Sequence, residues 1–327
     1  MALKAGFIGT GGISRKHLSA MAEMKDKVEI AALCDISEEA VKARAEQYGG
    51  KTYTDYKKML DEAELDMVFI CVPPSAHENM EVLVAERGLH MLVEKPVNLY
   101  LDDAIRAHEA IKKAGVITSV GYLAGYSNMD RALRKFLADK TIGMIVSERW
   151  GGVAGGETHW WRVMEVSGGM LHEQATHQLN TMRYYAGDVV EVYKKDAMRI
   201  NTDLPNHNIP DCEIVTLMFK SGAIGYITTT AALINGGGSG RMDIIIEGHI
   251  RIQPGRGEVK ILPEGAATIE IGDEPVLNLD ESFVEAILTG DESLVTDNYE
   301  NGLKTTAITL AANESAKTNK PVAVYQP

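Results

Sequence analysis

The sequence predicts an α/β domain with a doubly wound parallel sheet, followed by an α+β domain with a large, mostly antiparallel sheet. Three observations lead to this prediction. The chain has 327 residues, more than one hydrophobic core usually organises. Its first third alternates apolar runs with segments of helical period. The remainder is rich in β-branched, strand-like runs that are separated by short turn signals.

In the first third, nearly continuous apolar runs suit strands that are buried on both faces. The predicted strands cover residues 4–8, 28–35, 66–72, 90–94 and 117–122. The predicted helices between them cover residues 14–24, 37–48, 76–87 and 101–114. Ser37 followed by Glu38 and Glu39 is typical of a helix start, because acidic side chains stabilise the first turn. Strand–helix alternation of this kind favours right-handed βαβ units.

After Tyr122 the pattern changes to strands joined by short turns such as Ser221-Gly222, which favour antiparallel hairpins. The predicted strands cover residues 142–150, 189–199, 213–220, 223–232, 241–247 and 266–271. The predicted helices cover residues 129–139, 170–186, 281–288 and 299–318. We interpret Gly236-Gly237-Gly238 as a hairpin loop. The domains are therefore placed at residues 1–122 and 123–327, with packing of the C-terminal helix back on the first domain left open.

The composition is that of an ordinary globular protein, with 45% hydrophobic and 24% charged residues. The formal net charge of −13 argues against nucleic acid or an anionic membrane as the main partner, since both require a basic surface. The apolar runs are too short to span a bilayer, and the first residues show no basic leader. We expect a cytoplasmic protein. The three cysteines, Cys34, Cys71 and Cys212, form no CxxC pair, so neither a disulfide framework nor a metal site is predicted.

A glycine-rich turn follows the first strand and opens the first helix. Gly9 permits the tight turn, and Gly11 allows the backbone to approach a pyrophosphate beside Gly12 and Ile13, where the helix N-terminus offers N–H groups. Asp35 ends the second strand at the spacing expected of a carboxylate that binds the ribose hydroxyls. Because that carboxylate would repel a 2′-phosphate, the sequence predicts a Rossmann domain that binds NAD in preference to NADP.

Two further segments lie at the carboxyl ends of predicted strands, where ligands of open α/β sheets bind. One segment contains Pro73 and His77, and the other contains Glu94 and Lys95. Lys95 directly follows a buried strand and precedes a proline, which is not the composition of a solvated loop. All four residues are therefore candidates for cofactor binding.

Taken together, these motifs resemble the glucose–fructose oxidoreductase / inositol dehydrogenase / MocA family of oxidoreductases. The matching residues lie in the same order along the whole chain. They are Gly9 and Gly11 with His17, Pro74 with His77, Glu94-Lys95-Pro96, Gly168-Gly169 ahead of Glu173 and His177, and the ending Ala311-Ala312-Asn313-Glu314-Ser315-Ala316.

The resemblance implies an NAD-dependent dehydrogenase that oxidises a secondary alcohol of a sugar, glycoside or cyclitol, or runs the reverse reduction. Lys95 would hydrogen-bond the reacting oxygen, and His177 would take the hydroxyl proton with the Glu173 carboxylate nearby. The spacing of four residues predicts that Glu173 and His177 share one face of a helix. Two alternatives stay open: an enzyme that uses NAD transiently without net turnover, and a non-catalytic sensor of dinucleotides.

The substrate is expected to be a small polyhydroxylated molecule. The candidate substrate-binding residues are Tyr122, Trp160, Trp161, Arg162 and His172. The tryptophans can stack on the apolar face of a sugar while the arginine binds hydroxyls or a carboxylate, and the alternative is that they belong to the core or to a subunit contact.

Three positions depart from the family pattern. Glu173 replaces the usual aspartate, Asn180 stands where a second aspartate is common, and Gly125 stands where many members have arginine. These changes bear on the substrate and on the role of Glu173. Because one face of the antiparallel sheet would otherwise be uncovered, we expect a homodimer or homotetramer that forms through the C-terminal sheet.

Overall fold

The computed structural model describes residues 2–153, 155–233, 237–255 and 257–327. The chain divides into two compact units, Met1–Tyr122 with Leu277–Gly302, and Leu123–Val276 with Leu303–Pro327. Residues 277–302, which the sequence analysis assigned to the second domain, thus group with the first unit. Gly236, part of the predicted hairpin loop, lies outside the described residues.

In the described part of the first unit, six parallel strands form a sheet in the order β3-β2-β1-β4-β5-β6. These strands are β1 (Leu3–Ile8), β2 (Val28–Cys34), β3 (Lys51–Tyr53), β4 (Met67–Ile70), β5 (His90–Val93) and β6 (Thr118–Val120). The helices between them are α1 (Ser14–Glu23), α2 (Glu38–Tyr48), α3 (Tyr56–Glu62), α4 (Met80–Glu86) and α5 (Leu101–Ala114). The predicted doubly wound sheet is confirmed.

Local chemistry explains where these elements begin. The Ser37 hydroxyl accepts a hydrogen bond from the Ala40 N–H and so caps α2. β3 and α3 were not predicted from the sequence, although Asp55 caps α3 by accepting a hydrogen bond from the Lys57 N–H. β3 has three residues at the edge of the sheet, too few for a periodic pattern to show.

In the described part of the second unit, eight strands form a sheet in the order β13-β12-β11-β7-β10-β9-β8-β14. β7 and β10 run parallel, and the other neighbouring pairs run antiparallel. The strands are β7 (Ile142–Trp150), β8 (Val189–Ala197), β9 (Cys212–Phe219), β10 (Ile224–Thr230), β11 (Met242–Ile246), β12 (Ile250–Pro254), β13 (Val259–Leu262) and β14 (Val322–Ala323). The predicted mostly antiparallel sheet is confirmed.

The remaining helices are α6 (Asn128–Leu137), α7 (Met164–Ser167), α8 (Met170–Glu173), α9 (Thr176–Ala186), α10 (Leu279–Thr289) and α11 (Tyr299–Thr318). The division between the units falls within α11, after Gly302. The strand predicted at residues 266–271 is wrong, because this stretch pairs with no strand in the described structure and β13 already ends the sheet. No helix in the described part of the chain is long and apolar enough to cross a membrane.

The single helix predicted over residues 170–186 is also wrong, because it is broken into α8 and α9. The N–H groups of Gln174 and Ala175 both donate to the Met170 carbonyl, at 3.0 Å each, which interrupts the regular ladder of helical hydrogen bonds. Glu173 therefore ends α8, and His177 lies in the first turn of α9. The spacing of four does not place them on one face of a continuous helix.

A buried histidine joins three elements of the first unit. His17, in α1, contacts Asp280 of α10 through Nδ1 at 2.6 Å and Glu94, after β5, through Nε2 at 3.1 Å. Burial alone would lower the pKa of His17, but the hydrogen bonds and charges of Asp280 and Glu94 outweigh it and raise the pKa to about 9. His17 is thus a cation at neutral pH, held between two carboxylates.

We expect this ion triad to make the stability of the first unit depend on pH. An unfolded histidine titrates near pH ~6.5, so the stabilisation is complete below that value and is lost as the pH rises through about 9. The free energy of unfolding should fall by up to about 3 kcal/mol across this window. His17→Gln should be less stable at pH 6 and should show a flatter dependence. Denaturant titrations of both proteins at several pH values would measure the free energy of unfolding. If this free energy changed equally with pH in both proteins, the prediction would be wrong.

Candidate functional site

Gly9, directly after β1, lies between the ends of β2 and β4, where only a glycine fits. Its φ of 89° lies in the left-handed region, and its N–H donates to the Cys34 carbonyl at 2.8 Å. A Cβ at this position would lie 2.4 Å from the Cys71 carbonyl oxygen. Any other residue would therefore push β1 away from the loop that follows β4.

The segment after Gly9 fits a bound pyrophosphate. A Cβ built at Gly11 or Gly12 would meet no protein atom within 4 Å, so the backbone there is approachable. α1 has no side-chain cap at Ile13 and no acidic residue in its first turn. Ser14 donates its hydroxyl to the Gly11 carbonyl at 2.9 Å and leaves the helix N–H groups to a ligand.

Asp35 closes this loop from the end of β2. Its Oδ2 accepts hydrogen bonds from the Thr10 N–H at 2.7 Å and the Thr10 hydroxyl at 2.9 Å, and its Oδ1 accepts from the Ser37 N–H at 2.9 Å. A carboxylate oxygen has two acceptor sites, so Oδ1 retains capacity for a ribose hydroxyl. Arg44 of α2, which the sequence analysis did not identify, donates from Nε to the Thr10 carbonyl at 3.3 Å.

Pro73 and His77 flank the short turn after β4. Pro73 precedes the turn Pro74–Ala76, and the His77 ring is fully buried with Nδ1 at 2.5 Å from Glu81 Oε1. A buried ring bonded in this way supports the loop from within the unit. The contact of His77 with the cofactor stays a prediction.

Glu94 holds the backbone around Lys95. One carboxylate oxygen contacts His17, and the other accepts a hydrogen bond from the Lys95 N–H at 3.1 Å. Gly121 makes room for this carboxylate, because a Cβ there would lie 2.7 Å from the Glu94 carboxyl group. Glu94 therefore supports the backbone at Lys95, and its contact with the cofactor stays a prediction. Lys95 itself is half-buried and is followed by Pro96.

In the second unit, Glu173 borders a cavity of about 120 Å³. Glu173 is only 4% exposed. The polar side chains that line the cavity are those of Arg149, Trp161, Arg162, Glu173 and Gln174. Trp161 and Arg162 were identified from the sequence, and Trp160 packs edge-on against Trp161 with ring centroids 6.0 Å apart. Arg149 and Gln174 were not identified, because neither lies in a recognisable motif.

The turn Gly168-Gly169, which starts α8, is fixed by a buried polar network. Asn313 donates from Nδ2 to the Gly168 carbonyl at 2.9 Å and accepts a hydrogen bond from Lys194 Nζ at 3.0 Å. Lys194 in turn pairs with Glu213 at 2.5 Å, and both side chains are at most 1% exposed. The Thr229 hydroxyl donates to the second Glu213 oxygen. Long-range contacts of this kind leave no local signal in the sequence.

Two candidate substrate ligands are in the core. His172 is fully buried and donates from Nδ1 to the Thr309 hydroxyl oxygen at 2.7 Å, because that hydroxyl itself donates to the Thr306 carbonyl. Tyr122 is fully buried as well. Neither side chain has exposed surface in the described structure, and a role of either in substrate binding stays a prediction. His177, by contrast, is half-buried.

Within the described residues, no cluster of three or more histidine, cysteine, aspartate or glutamate side chains could hold a metal ion. The described residues offer hydrogen bonding, proton transfer and, at the Gly9–Ser14 loop, helix N–H groups that suit a dinucleotide.

Comparison with known proteins agrees with this arrangement. Residues 3–122 match the sequence model of the oxidoreductase family with an NAD-binding Rossmann fold, GFO/IDH/MocA, and residues 131–248 match that of the GFO/IDH/MocA C-terminal domain. The uncharacterized oxidoreductase YrbE of Bacillus subtilis is 25% identical, over 98% of this chain and 96% of its own length. The myo-inositol 2-dehydrogenase of Thermotoga maritima is 26% identical, over 72% of this chain and 70% of its own length.

A solved structure shares the fold. The WlbA dehydrogenase from Bordetella pertussis, in complex with NADH and UDP-GlcNAcA, superimposes with a TM-score of 0.85 and 22% identity over 100% of both chains. The matches of both domain models, read with the geometry of the Gly9 loop, assign the chain. It belongs to the GFO/IDH/MocA family and is an NAD-dependent oxidoreductase that acts on CH–OH groups.

Proposed function

We propose that the protein oxidises a secondary alcohol of a sugar, glycoside or cyclitol, or reduces the corresponding ketone. The observation that carries this proposal is the placement of Lys95, a half-buried cation at the carboxyl end of β5 whose backbone is fixed by the Glu94 carboxylate. The relative from Thermotoga maritima is a myo-inositol 2-dehydrogenase, which supports a polyhydroxylated substrate.

The first unit would hold NAD through the loop from Gly9 to Ser14 and through Asp35. The N–H groups at the start of α1 would bind the pyrophosphate, and Asp35 Oδ1 would accept a hydrogen bond from a ribose hydroxyl. When bound, NAD supplies the acceptor for hydride. The Asp35 carboxylate favours NAD over NADP, because a 2′-phosphate beside it would be repelled.

The reacting groups are assigned as follows. Lys95 donates a hydrogen bond to the substrate oxygen and stabilises the negative charge that develops there. His177 accepts the hydroxyl proton, since imidazole titrates near neutral pH and serves as a general base. Glu173, in the buried wall of the cavity, binds a neighbouring hydroxyl of the substrate.

The test is NADH formation with NAD and a panel of cyclitols, free aldoses and glycosides at mildly alkaline pH. We expect one class to react, and NADP to support a lower rate than NAD. Lys95→Met should lower kcat/KM by about 10²–10³-fold, the loss found when one donor to a developing oxyanion is removed. Its affinity for NAD should change little.

Lys113→Met, which removes an exposed lysine from the last turn of α5, is the matched control and should behave as wild type. Near-normal turnover of Lys95→Met would remove Lys95 from the mechanism. A silent panel with NAD bound would favour transient use of NAD or a sensor, and product analysis would separate these two.

A second prediction concerns the general base. The activity of the wild-type enzyme should rise with pH as the base loses its proton, and His177→Ala should lower kcat by about 10²–10⁴-fold and abolish this rise. The measurement is kcat/KM against pH. His249→Asn, at an exposed position with a φ of 62° that asparagine tolerates, is the control. An unchanged profile in His177→Ala would assign the proton to another group.

We also propose that the protein assembles through the open face of its second sheet. β9 alternates between exposed and buried residues, so Ile214 and Met218 point outward, beside Ile224 and Tyr226 of β10. Each of these four side chains is more than 40% exposed. Met218, Ile224 and Tyr226 line a depression of about 290 Å³. An apolar area of this kind on a sheet is typical of a subunit interface.

Replacement of Ile224, which pairs with Met218 across the strands, should disrupt this assembly. We expect Ile224→Lys to be a monomer by light scattering, while the wild type is a dimer or tetramer. Leu288→Lys, at an exposed leucine of α10 in the first unit, should keep the wild-type mass. If the wild type is itself monomeric, or if Ile224→Lys stays assembled, this face is not the interface.

A further inference from the structure

The cavity beside Glu173 is lined by donors of hydrogen bonds. We propose that it is a subsite for a carboxylate group of the substrate, so that the preferred substrate is a sugar acid rather than a neutral sugar. This inference rests on the proposed function, which it narrows. The cavity has a volume of about 120 Å³, below the ~300–1,000 Å³ of pockets that hold whole drug-sized ligands. It is therefore of a size to hold one substituent of a sugar.

Arg149 is one of the two guanidinium groups that border the cavity. It lies near the end of β7 and is half-buried. Its guanidinium donates to the Trp150 carbonyl at 3.3 Å and to Gln174 Oε1 at 3.4 Å. Both acceptors are neutral and both contacts are long. A guanidinium presents five N–H donors in a plane, so these two contacts leave donors for a ligand in the cavity.

Two neighbouring side chains contribute a fixed positive charge and a buried N–H group. Arg162 is only 8% exposed, and it donates to the Gly155 carbonyl at 3.2 Å and to the Pro205 carbonyl at 3.5 Å. These contacts fix its guanidinium at the cavity wall. The indole Nε1 of Trp161 is buried and has no hydrogen-bond acceptor among the described residues. A buried N–H without an acceptor is unfavourable, and an anionic oxygen would satisfy it.

The charges of the lining select the kind of anion. Two guanidinium groups and one carboxylate, that of Glu173, border the cavity, which gives it a positive balance. A carboxylate is planar, carries one charge, and matches the arginine fork with two parallel hydrogen bonds. A phosphate ester carries ~1.5–2 negative charges at neutral pH and would be repelled more strongly by Glu173. The subsite therefore favours a carboxylate.

The experiment compares matched pairs of substrates with NAD: glucose with glucuronate, and galactose with galacturonate, with glucose 6-phosphate as the phosphate arm. We expect kcat/KM to be higher for the acid of at least one pair. Arg149→Gln should lower kcat/KM for that acid by about ten- to hundred-fold, the value of a hydrogen bond to a charged group, and should lower it much less for the neutral partner. Lys220→Gln, which removes an exposed lysine of the same unit, is the control.

The outcomes separate this inference from the proposed function. Equal or better turnover of the neutral sugars would overturn the carboxylate subsite while leaving the dehydrogenase intact, and preference for the phosphate ester would overturn the choice of anion. If no pair yields NADH, calorimetric titration of the NAD-loaded protein with glucuronate and with glucose still tests whether the cavity binds a carboxylate. Binding of glucuronate that is weakened in Arg149→Gln supports the subsite, and binding that is absent or unaffected by the variant rejects it.

Discussion

The first unit depends on a protonated histidine buried between two carboxylates. His17 lies in the helix whose N-terminus is proposed to bind pyrophosphate, and one of its partners, Glu94, holds the backbone of Lys95. The other partner, Asp280, comes from a helix 263 residues further along the chain. The dinucleotide loop and Lys95, the proposed hydrogen-bond donor to the reacting oxygen, are thus both held by the contact between His17 and Glu94. A change in the charge of His17 would act on both.

The second unit uses a similar device at a different place. Lys194 and Glu213 are removed from water, which is unfavourable unless each charge is paired and hydrogen-bonded. Asn313 accepts a hydrogen bond from Lys194, and the Thr229 hydroxyl donates one to Glu213. Asn313 also donates to the Gly168 carbonyl and so fixes its position. The glycine turn can therefore start α8 at a fixed angle. The start of α8, the single turn that ends at Glu173, is thereby tied to the sheet.

Sequence patterns predicted the parts of the molecule that local chemistry determines. The alternation of strands and helices, the turn at Gly9 and the acid at Asp35 follow from residue type and spacing. The break between α8 and α9 could not be predicted in this way, because the apolar period continues through Gln174 and Ala175. Nor could residue type separate His172, which is buried against Thr309, from an accessible ligand. Arg149 was not predicted, because it lies in a strand and the residues that border the cavity with it are distant in sequence.

The buried pair in the sheet has a consequence for folding. Side chains of a strand alternate between two faces, so a slip of one residue between β8 and β9 would turn Glu213 to the open face and bury Ile214 in its place. Lys194 would then lose its buried partner and keep only Asp196 of its own strand, 3.5 Å away and 30% exposed, which is unfavourable for a charge removed from water. Apolar contacts alone would discriminate poorly between the two alignments, since both faces of β9 carry large aliphatic side chains. The ion pair thus selects a single alignment of the strands during assembly of the sheet.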